Sequence, residues 1–151
     1  MTYEVVDATY AHAIDLRSRL RALDLRECIG HGMSLRRMIH RTYATSLFAQ
    51  AAVSDGKCIA MWGLSGTLLG DQGCPWLLTA TEVEKFPFAV LREARAAVAE
   101  MISIKPYLAN YVLSDYKQAV KLVSLLGFSL DQPLWTSASG DVYRRFWMRR
   151  E

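Results

Sequence analysis

Several kinds of segment are missing from this 151-residue chain, and each absence excludes a class of protein. No apolar run is long enough to cross a bilayer, and residues 1–6 lack the pattern of a signal peptide. We therefore expect neither a membrane segment nor secretion by a signal peptide. Repeats, low-complexity stretches and Pro- or Gly-rich linkers are lacking too, which predicts a single domain over residues 1–151.

Cysteine is scarce and has no regular spacing. Cys28, Cys58 and Cys74 are odd in number and far apart, which indicates reduced thiols in an intracellular protein rather than a disulfide framework. His31 follows Cys28 at a spacing that two zinc ligands can have, but no second pair accompanies it. The sequence therefore predicts no metal site.

An excess of one charge is also missing. The chain has 18 Lys and Arg against 15 Asp and Glu, and a net charge of +3 is too small to predict a nucleic-acid partner. Arg17, Arg19 and Arg21 are interpreted as the solvated face of a helix. The arginine-rich closing segment 142–150 is interpreted as an edge strand protected by its charges. Stacking of its arginines and aromatics on nucleic-acid bases is the alternative.

The first half of the chain predicts a strand, two helices and a hairpin. A strand is expected over Tyr3–Val6 and a helix from Tyr10 to about Leu23; its inward residues are Ala13, Leu16, Leu20 and Leu23. Ser34 is expected to cap the next helix, which ends at about Thr45. Asp55-Gly56 separates two apolar runs, 47–53 and 57–64, and predicts a hairpin. The glycines from Gly66 to Gly73 are interpreted as a loop, because no Walker lysine and no helix follow them.

Residues 74–128 predict one strand–helix–strand–helix unit. The first strand, 75–79, is short and apolar, as in a strand buried on both faces. A helix is expected over Phe88–Ser103, stopped by Lys105-Pro106; its inward residues are Phe88, Leu91, Ala94, Val98 and Ile102. A strand over Tyr107–Leu113 follows. Ser114 or Asp115 is expected to cap the second helix, and Gly127 to end it.

This order of elements resembles the GNAT (N-acetyltransferase) fold. Ala119 followed by Gly127-Phe128 is similar to the segment Asn-x-x-Ala…Tyr-x-x-x-Gly-Phe of that family, and Asp55-Gly56 before Ala60 and Gly63 is similar to its central hairpin. The resemblance implies an α/β (α+β) fold, in which a mixed, mostly antiparallel sheet is flanked by about four helices.

Within that superfamily the chain looks most similar to the GNAT-like internal virion protein of short-tailed bacteriophages. The similar segments are Arg26-Glu27 with Gly32, Asp55-Gly56, Trp76–Thr79, Pro87 with Leu91-Arg92, Ala109–Val112 and Leu126–Phe128. This resemblance implies a protein of the virion or of the host cytoplasm, with capsid, portal or tail proteins or a second copy as partners.

The chain departs from the enzymes of the family at two places. Their pyrophosphate loop is rich in glycine, because backbone N–H groups must approach the phosphates closely. Here no glycine lies between Gly73 and Gly127, and the corresponding segment carries Glu82 and Glu84. The tyrosine that usually serves as general acid falls at Val123, which has no proton to donate. The acetyl-transfer site therefore looks degenerate.

Two functions follow from the resemblance. The first is a phage virion or assembly protein without a cofactor, which binds partners through its first helix pair or through Trp135, Tyr143, Phe146 and Trp147. The second is an N-acetyltransferase that transfers acetyl from acetyl-CoA to an amine. In that case Glu82 or Glu84 is the candidate general base, and the candidate cofactor-binding residues are Leu78, Thr79, Ala80, Thr81, Lys85 and Tyr116. Whether the protein is an enzyme stays open at this stage.

Overall fold

A computed structural model describes residues 2–21, 35–133, 135–136 and 140–151. The strands are β1 (Glu4–Asp7), β2 (Ser46–Ser54), β3 (Lys57–Gly66), β4 (Gln72–Thr79), β5 (Tyr107–Leu113), β6 (Ser129–Leu130), β7 (Trp135–Thr136) and β8 (Val142–Arg149). The helices are α1 (Tyr10–Arg17), α2 (Leu35–Ala44), α3 (Pro87–Ile104) and α4 (Lys117–Leu125), with a 3₁₀ helix at Thr81–Lys85. The predictions for Leu23, Cys28, His31, Ser34 and the side chain of Trp135 fall outside the described residues.

All eight described strands belong to one sheet, in the order β1-β2-β3-β4-β5-β8-β6, with β7 beside β8. Every described pairing is antiparallel except that of β4 with β5. One face packs against α3 and α4, and the other against α1 and α2. This confirms the expected mixed, mostly antiparallel sheet with helices on both sides. No helix in the described part of the chain has the length and apolarity to span a membrane.

The hairpin between β2 and β3 forms where the sequence places it. Asp55 and Gly56 have φ values of 53° and 74°. Two successive positive φ angles are those of a type I′ turn, which matches the twist of the flanking strands. The prediction of β5 agrees with the structure at both ends, and Gly127, at φ 94°, follows the end of α4 as expected.

Helix α1 is shorter than its periodicity predicts. Thr9 caps it by accepting a hydrogen bond from the His12 N–H, but the helix ends at Arg17. Leu20 then forms an antiparallel bridge with Ala80, just after β4. A helix and an extended bridge are incompatible at one residue, so this distant pairing ends α1 early. The predicted inward residue Leu16 is fully buried.

Helix α3 packs against the core with a set of residues that agrees only in part with the prediction: Val98 and Ile102 contact the core as expected. Ala97 and Met101 are its buried residues, whereas Phe88 is 86% exposed. Phe88 lies nine positions before Ala97, which is two and a half turns and therefore the opposite face of the helix. The assignment of Phe88 to the core was wrong. Tyr116, whose side chain makes no capping hydrogen bond, occupies the N-cap position of α4 that Ser114 or Asp115 was expected to fill.

Two strands also differ from their predictions. Leu77 in β4 is 36% exposed, so this strand is not buried on both faces. β8 is an interior strand: it pairs with β5 at seven positions and with β6 on its other side. The interpretation of β8 as an edge strand protected by charge is therefore wrong. Tyr143 is fully buried and Phe146 is 8% exposed, so neither offers the contact surface expected of it.

Candidate functional site

The sheet opens between β4 and β5. These parallel strands pair only at Gln72 with Tyr107 and at Gly73 with Leu108. The next residue of β4 that faces β5 is Pro75, which has no N–H to donate. The backbone ladder therefore stops at Pro75, and a wedge-shaped gap begins there.

The side chain of Asn110 bridges β4 and β5 where the backbone hydrogen bond between them is missing. Tyr107 N–H donates to the Asp71 carbonyl, so a regular ladder would bring Tyr111 N–H to the Pro75 carbonyl two steps later. Instead, Tyr111 N–H donates to Asn110 Oδ1 (2.8 Å), and Asn110 Nδ2 donates to the Pro75 carbonyl (2.8 Å). The amide is thus inserted between the two strands, and it satisfies one backbone group on each.

Past Pro75, peptide groups of β4 face the gap. Ala80 N–H donates to the Ile59 carbonyl of β3, so by the alternation of an antiparallel ladder Leu77 and Thr79 direct their N–H and C=O groups away from β3. Leu77, in this part of β4, is 36% exposed. An extended ligand with amide groups can pair with such a strand edge.

Arg21 extends across the end of this gap. Its backbone N–H donates to the Thr79 carbonyl (3.0 Å), and its guanidinium lies 3.3 Å from the Glu84 carboxylate. The same guanidinium donates to Gln118 Oε1 (2.5 Å) and lies 5.8 Å from the centre of the Tyr116 ring. Arg21 therefore contacts β4, the 3₁₀ helix and α4 at once, with 18% of its side chain exposed.

A second arginine fixes the other carboxylate of the 3₁₀ helix. Arg19 donates to Glu82, to the Cys58 carbonyl (2.6 Å) and to Asp15 (3.1 Å). Partial burial alone would raise the pKa of Asp15. The bond from Cys58 N–H (2.7 Å), the Arg19 guanidinium and the charge of Lys57 together hold that pKa below its ordinary value of 3.8. Arg19 and Arg21 are thus structural ion-pair residues, and their interpretation as a solvated helix face was wrong.

The start of α3 is poorly equipped to bind an anion. Pro87 is its first residue and lacks an N–H group, which removes one donor, although Phe86 makes no side-chain cap bond to the N–H groups that follow. The preceding 3₁₀ helix carries Glu82 and Glu84 in its first turn. Helix N-termini bind phosphates through free backbone N–H groups and the positive end of the helix dipole, and here Pro87 removes one N–H while two carboxylates lie in the preceding 3₁₀ helix.

The candidate residues of the sequence analysis separate into two groups. Thr79, Ala80, Glu84 and Tyr116 surround Arg21, and all but Glu84 are buried. The others lie outside this arrangement: Leu78 is half-buried, Glu82 points to Arg19, and Thr81 and Lys85 are exposed. Their roles toward a cofactor stay predictions.

Three residues that shape the gap were not selected from the sequence: Pro75, Asn110 and Arg21. A proline and an asparagine within predicted strands were the only signal available for the first two. Among the described residues, no cluster of three His, Cys, Asp or Glu side chains is placed to hold a metal ion.

Comparison with known proteins identifies the fold. No family model and no curated protein sequence matches the chain. The ribosomal-protein-S5-alanine acetyltransferase of Vibrio fischeri matches it with a TM-score of 0.70 at 11% identity, over 100% of this chain and 94% of that one. The spermidine N-acetyltransferase of Vibrio cholerae, solved with CoA and spermine, matches with a TM-score of 0.69 at 12% identity, over 98% and 95%. The GNAT domain of S. lividans PAT gives 0.67 at 17% identity, over 98% and 92%.

The protein has the GNAT fold. At identities of 17% or less, these similarities establish the architecture and leave the activity to be argued from the site.

Proposed function

We propose that this protein uses the GNAT fold as a protein-binding scaffold in a bacteriophage particle, or in its assembly in the host cytoplasm, and that its acetyl-CoA site is degenerate. The observation that carries the proposal is Arg21, which joins both sides of the gap from within the chain. Its N–H group uses the Thr79 carbonyl, one of the groups that an amide ligand would need.

The charge distribution supports the same conclusion. A diphosphate at the start of α3 would meet the carboxylates of Glu82 and Glu84, and their arginine partners are already engaged in ion pairs. Pro87 removes one of the N–H groups that would have faced the phosphates. A CoA would therefore find no unpaired partner in Arg19 or Arg21 and would gain few hydrogen bonds from the start of α3.

Exposed apolar side chains favour a role in protein contacts. Leu68 and Leu69, in the loop between β3 and β4, are 86% and 97% exposed. Lys105 holds this loop, because its buried ammonium donates to the carbonyls of Thr67, Leu68 and Gly70. A rigid loop that presents two leucines loses little conformational entropy on binding a partner. The partner class, capsid, portal or tail proteins, rests on the resemblance to phage virion proteins.

Acetyl transfer to an amine is the second candidate. The similarity to structures of acetyltransferases favours it, and so does the gap itself, where Leu77 is accessible and peptide groups point outward. The backbone of residues 78–81 would then hold the pantetheine arm, and Glu84, once released from Arg21, would accept the proton of the amine. Proximity of the two substrates would supply much of the rate.

Calorimetric titration with acetyl-CoA and with CoA distinguishes the two candidates. We expect no binding heat for the wild-type chain. Micromolar affinity, on the order of −8 kcal/mol, would overturn the proposal and favour the enzyme. The variant Arg21→Ala removes the guanidinium contacts with Glu84 and Gln118 but keeps the backbone N–H that bonds to the Thr79 carbonyl. CoA binding by this variant would show that the guanidinium blocks the gap, whereas no binding would fit a gap that has lost its phosphate contacts. Arg95→Ala, an exposed arginine of α3, is the matched control.

The scaffold role needs a separate measurement. Mass spectrometry of purified particles, and copurification of the chain with capsid, portal and tail proteins, test it directly. Leu68→Ser combined with Leu69→Ser is expected to abolish the interaction without loss of folding, because both side chains are solvent-exposed. Absence from particles and from all of these complexes would refute the scaffold role.

A further inference from the structure

The second candidate site lies on the sheet face formed by β5 and β8. Tyr107 is opposite Arg149 in register, Ala109 is opposite Trp147, and Tyr111 is opposite Arg145. Side chains at directly opposed positions share a face of the sheet. We call the set Tyr107, Tyr111, Arg145, Trp147 and Arg149 the arginine–aromatic face.

This face is the one turned away from α3 and α4. The residues of β5 and β8 on the other side, among them Leu108, Val112 and Phe146, pack into the core with those helices. The cluster beneath α1 and α2 includes no residue of β5 or β8 among those described. Tyr111 is 43% exposed, Arg149 is exposed, and the Arg145 side chain is 33% exposed.

Of the four arginines in residues 144–150, two bond to backbone carbonyls and two lie over an aromatic ring. Arg144 donates to the Asp131 carbonyl, and Arg150 donates to the carbonyls of Ile102 and Ser103 at the end of α3. Arg145 and Arg149 instead place their guanidinium groups over the Tyr107 ring, 5.5 and 4.6 Å from its centre.

Asp131 contacts the arginine–aromatic face. Asp131 accepts from Trp147 Nε1 (3.0 Å) and lies 3.4 Å from Arg145. It orients the indole and neutralises part of the charge of Arg145. The Arg149 guanidinium has no carboxylate within ion-pair distance among the described residues.

We propose that the arginine–aromatic face binds single-stranded nucleic acid. Aromatic rings and guanidinium planes stack on unpaired bases, while arginine charge attracts the phosphates. Protection of a sheet edge does not explain the arginines of β8, because β8 is an interior strand. A duplex would keep its bases stacked and leave the rings without a ligand, whereas an acidic peptide would use the arginines and not the aromatic rings.

Fluorescence anisotropy tests the proposal with a labelled oligothymidine of roughly fifteen nucleotides, at about 50 mM and about 300 mM salt. We expect binding at low salt that is weaker at high salt. Arg149→Gln is expected to weaken it about tenfold and to reduce the salt slope by about 0.7, the value for one lost phosphate contact on a single strand. Arg95→Gln removes the same charge from α3 and is expected to change affinity less than about twofold. Thermal melting checks that both variants fold.

Tryptophan fluorescence supplies a readout of stacking. The chain has four tryptophans, and oligothymidine is expected to quench the emission in the wild type but not in Trp147→Phe. Four results would overturn the proposal: no binding at low salt, equal effects of the Arg149 and Arg95 variants, equal affinity for a duplex of the same length, or equally effective competition by polyglutamate. The last would identify an acidic protein segment as the ligand.

Discussion

Lys105 offers a sharp test of how the loop between β3 and β4 is held. Its side chain is 5% exposed, and its ammonium donates to the carbonyls of Thr67 (2.6 Å), Leu68 (3.4 Å) and Gly70. Lys105→Met keeps the apolar stem and removes the donors. The released carbonyls belong to exposed residues and can bind water. The free energy lost is therefore at the lower end of the range for charge-assisted hydrogen bonds. We expect a decrease of about 2 kcal/mol in the free energy of unfolding.

Urea denaturation measures this effect. With a slope of about 2 kcal/mol per molar, the midpoint for Lys105→Met should fall by about 1 M. Thermolysin should also cut the variant faster at Leu68–Leu69, because the loop no longer has a fixed shape. Lys85→Met is the matched control, since Lys85 is an exposed lysine whose removal changes charge alone. A midpoint within about 0.2 M of the wild type, together with unchanged proteolysis, would refute the reasoning.

Three further predictions concern the sheet and its polar contacts. Gly63→Ala should lower the free energy of unfolding by about 1–3 kcal/mol, because the added methyl would overlap a backbone oxygen and an indole ring; an unchanged denaturation midpoint would contradict this. The pKa of Asp15 is lowered in the fold, so its ionised form stabilises the folded state at pH values above the unfolded pKa of about 3.9. In thermal melts, the stability advantage of the wild type over Asp15→Asn should therefore shrink as the pH falls below about 4. A constant difference from pH 7 to pH 3 would refute it. Burial raises the pKa of Cys58 to about 11, so in a Cys28→Ser background Cys58 should react with a thiol reagent at pH 8 only on unfolding and later than Cys74; simultaneous reaction would refute the burial argument.

The parts of the fold that sequence predicts well are those with local causes. The turn at Asp55-Gly56 needs two positive φ angles, which these residues adopt more readily than others. The strand Tyr107–Leu113 is bounded by a proline on one side and a turn on the other. The architecture itself followed from the order of such elements, and the structural similarity to acetyltransferases confirms it.

The errors arise where distant segments meet. The end of α1 is decided by the bridge between Leu20 and Ala80, sixty residues apart, and no property of the helix sequence reports it. The place of β8 inside the sheet depends on how β6 returns to pair with it, which alternation along β8 does not encode. The gap depends on Pro75 and Asn110 lying on adjacent strands, a juxtaposition that exists only in three dimensions.

The short pairing between β4 and β5 makes this sheet two smaller sheets with a hinge. Strands β1 to β4 form one, and β5 with β6, β7 and β8 forms the other. Because the backbone joins them at only two register pairs, side chains contribute much of what sets the angle between them: the core shared by β3, α3, β5 and β8, the Asn110 amide at the narrow end and Arg21 at the wide end. Side-chain contacts change by single substitutions more easily than backbone ladders do. Substitutions at Asn110 or Arg21 can therefore change the width of the wedge while the backbone ladders of both halves stay intact.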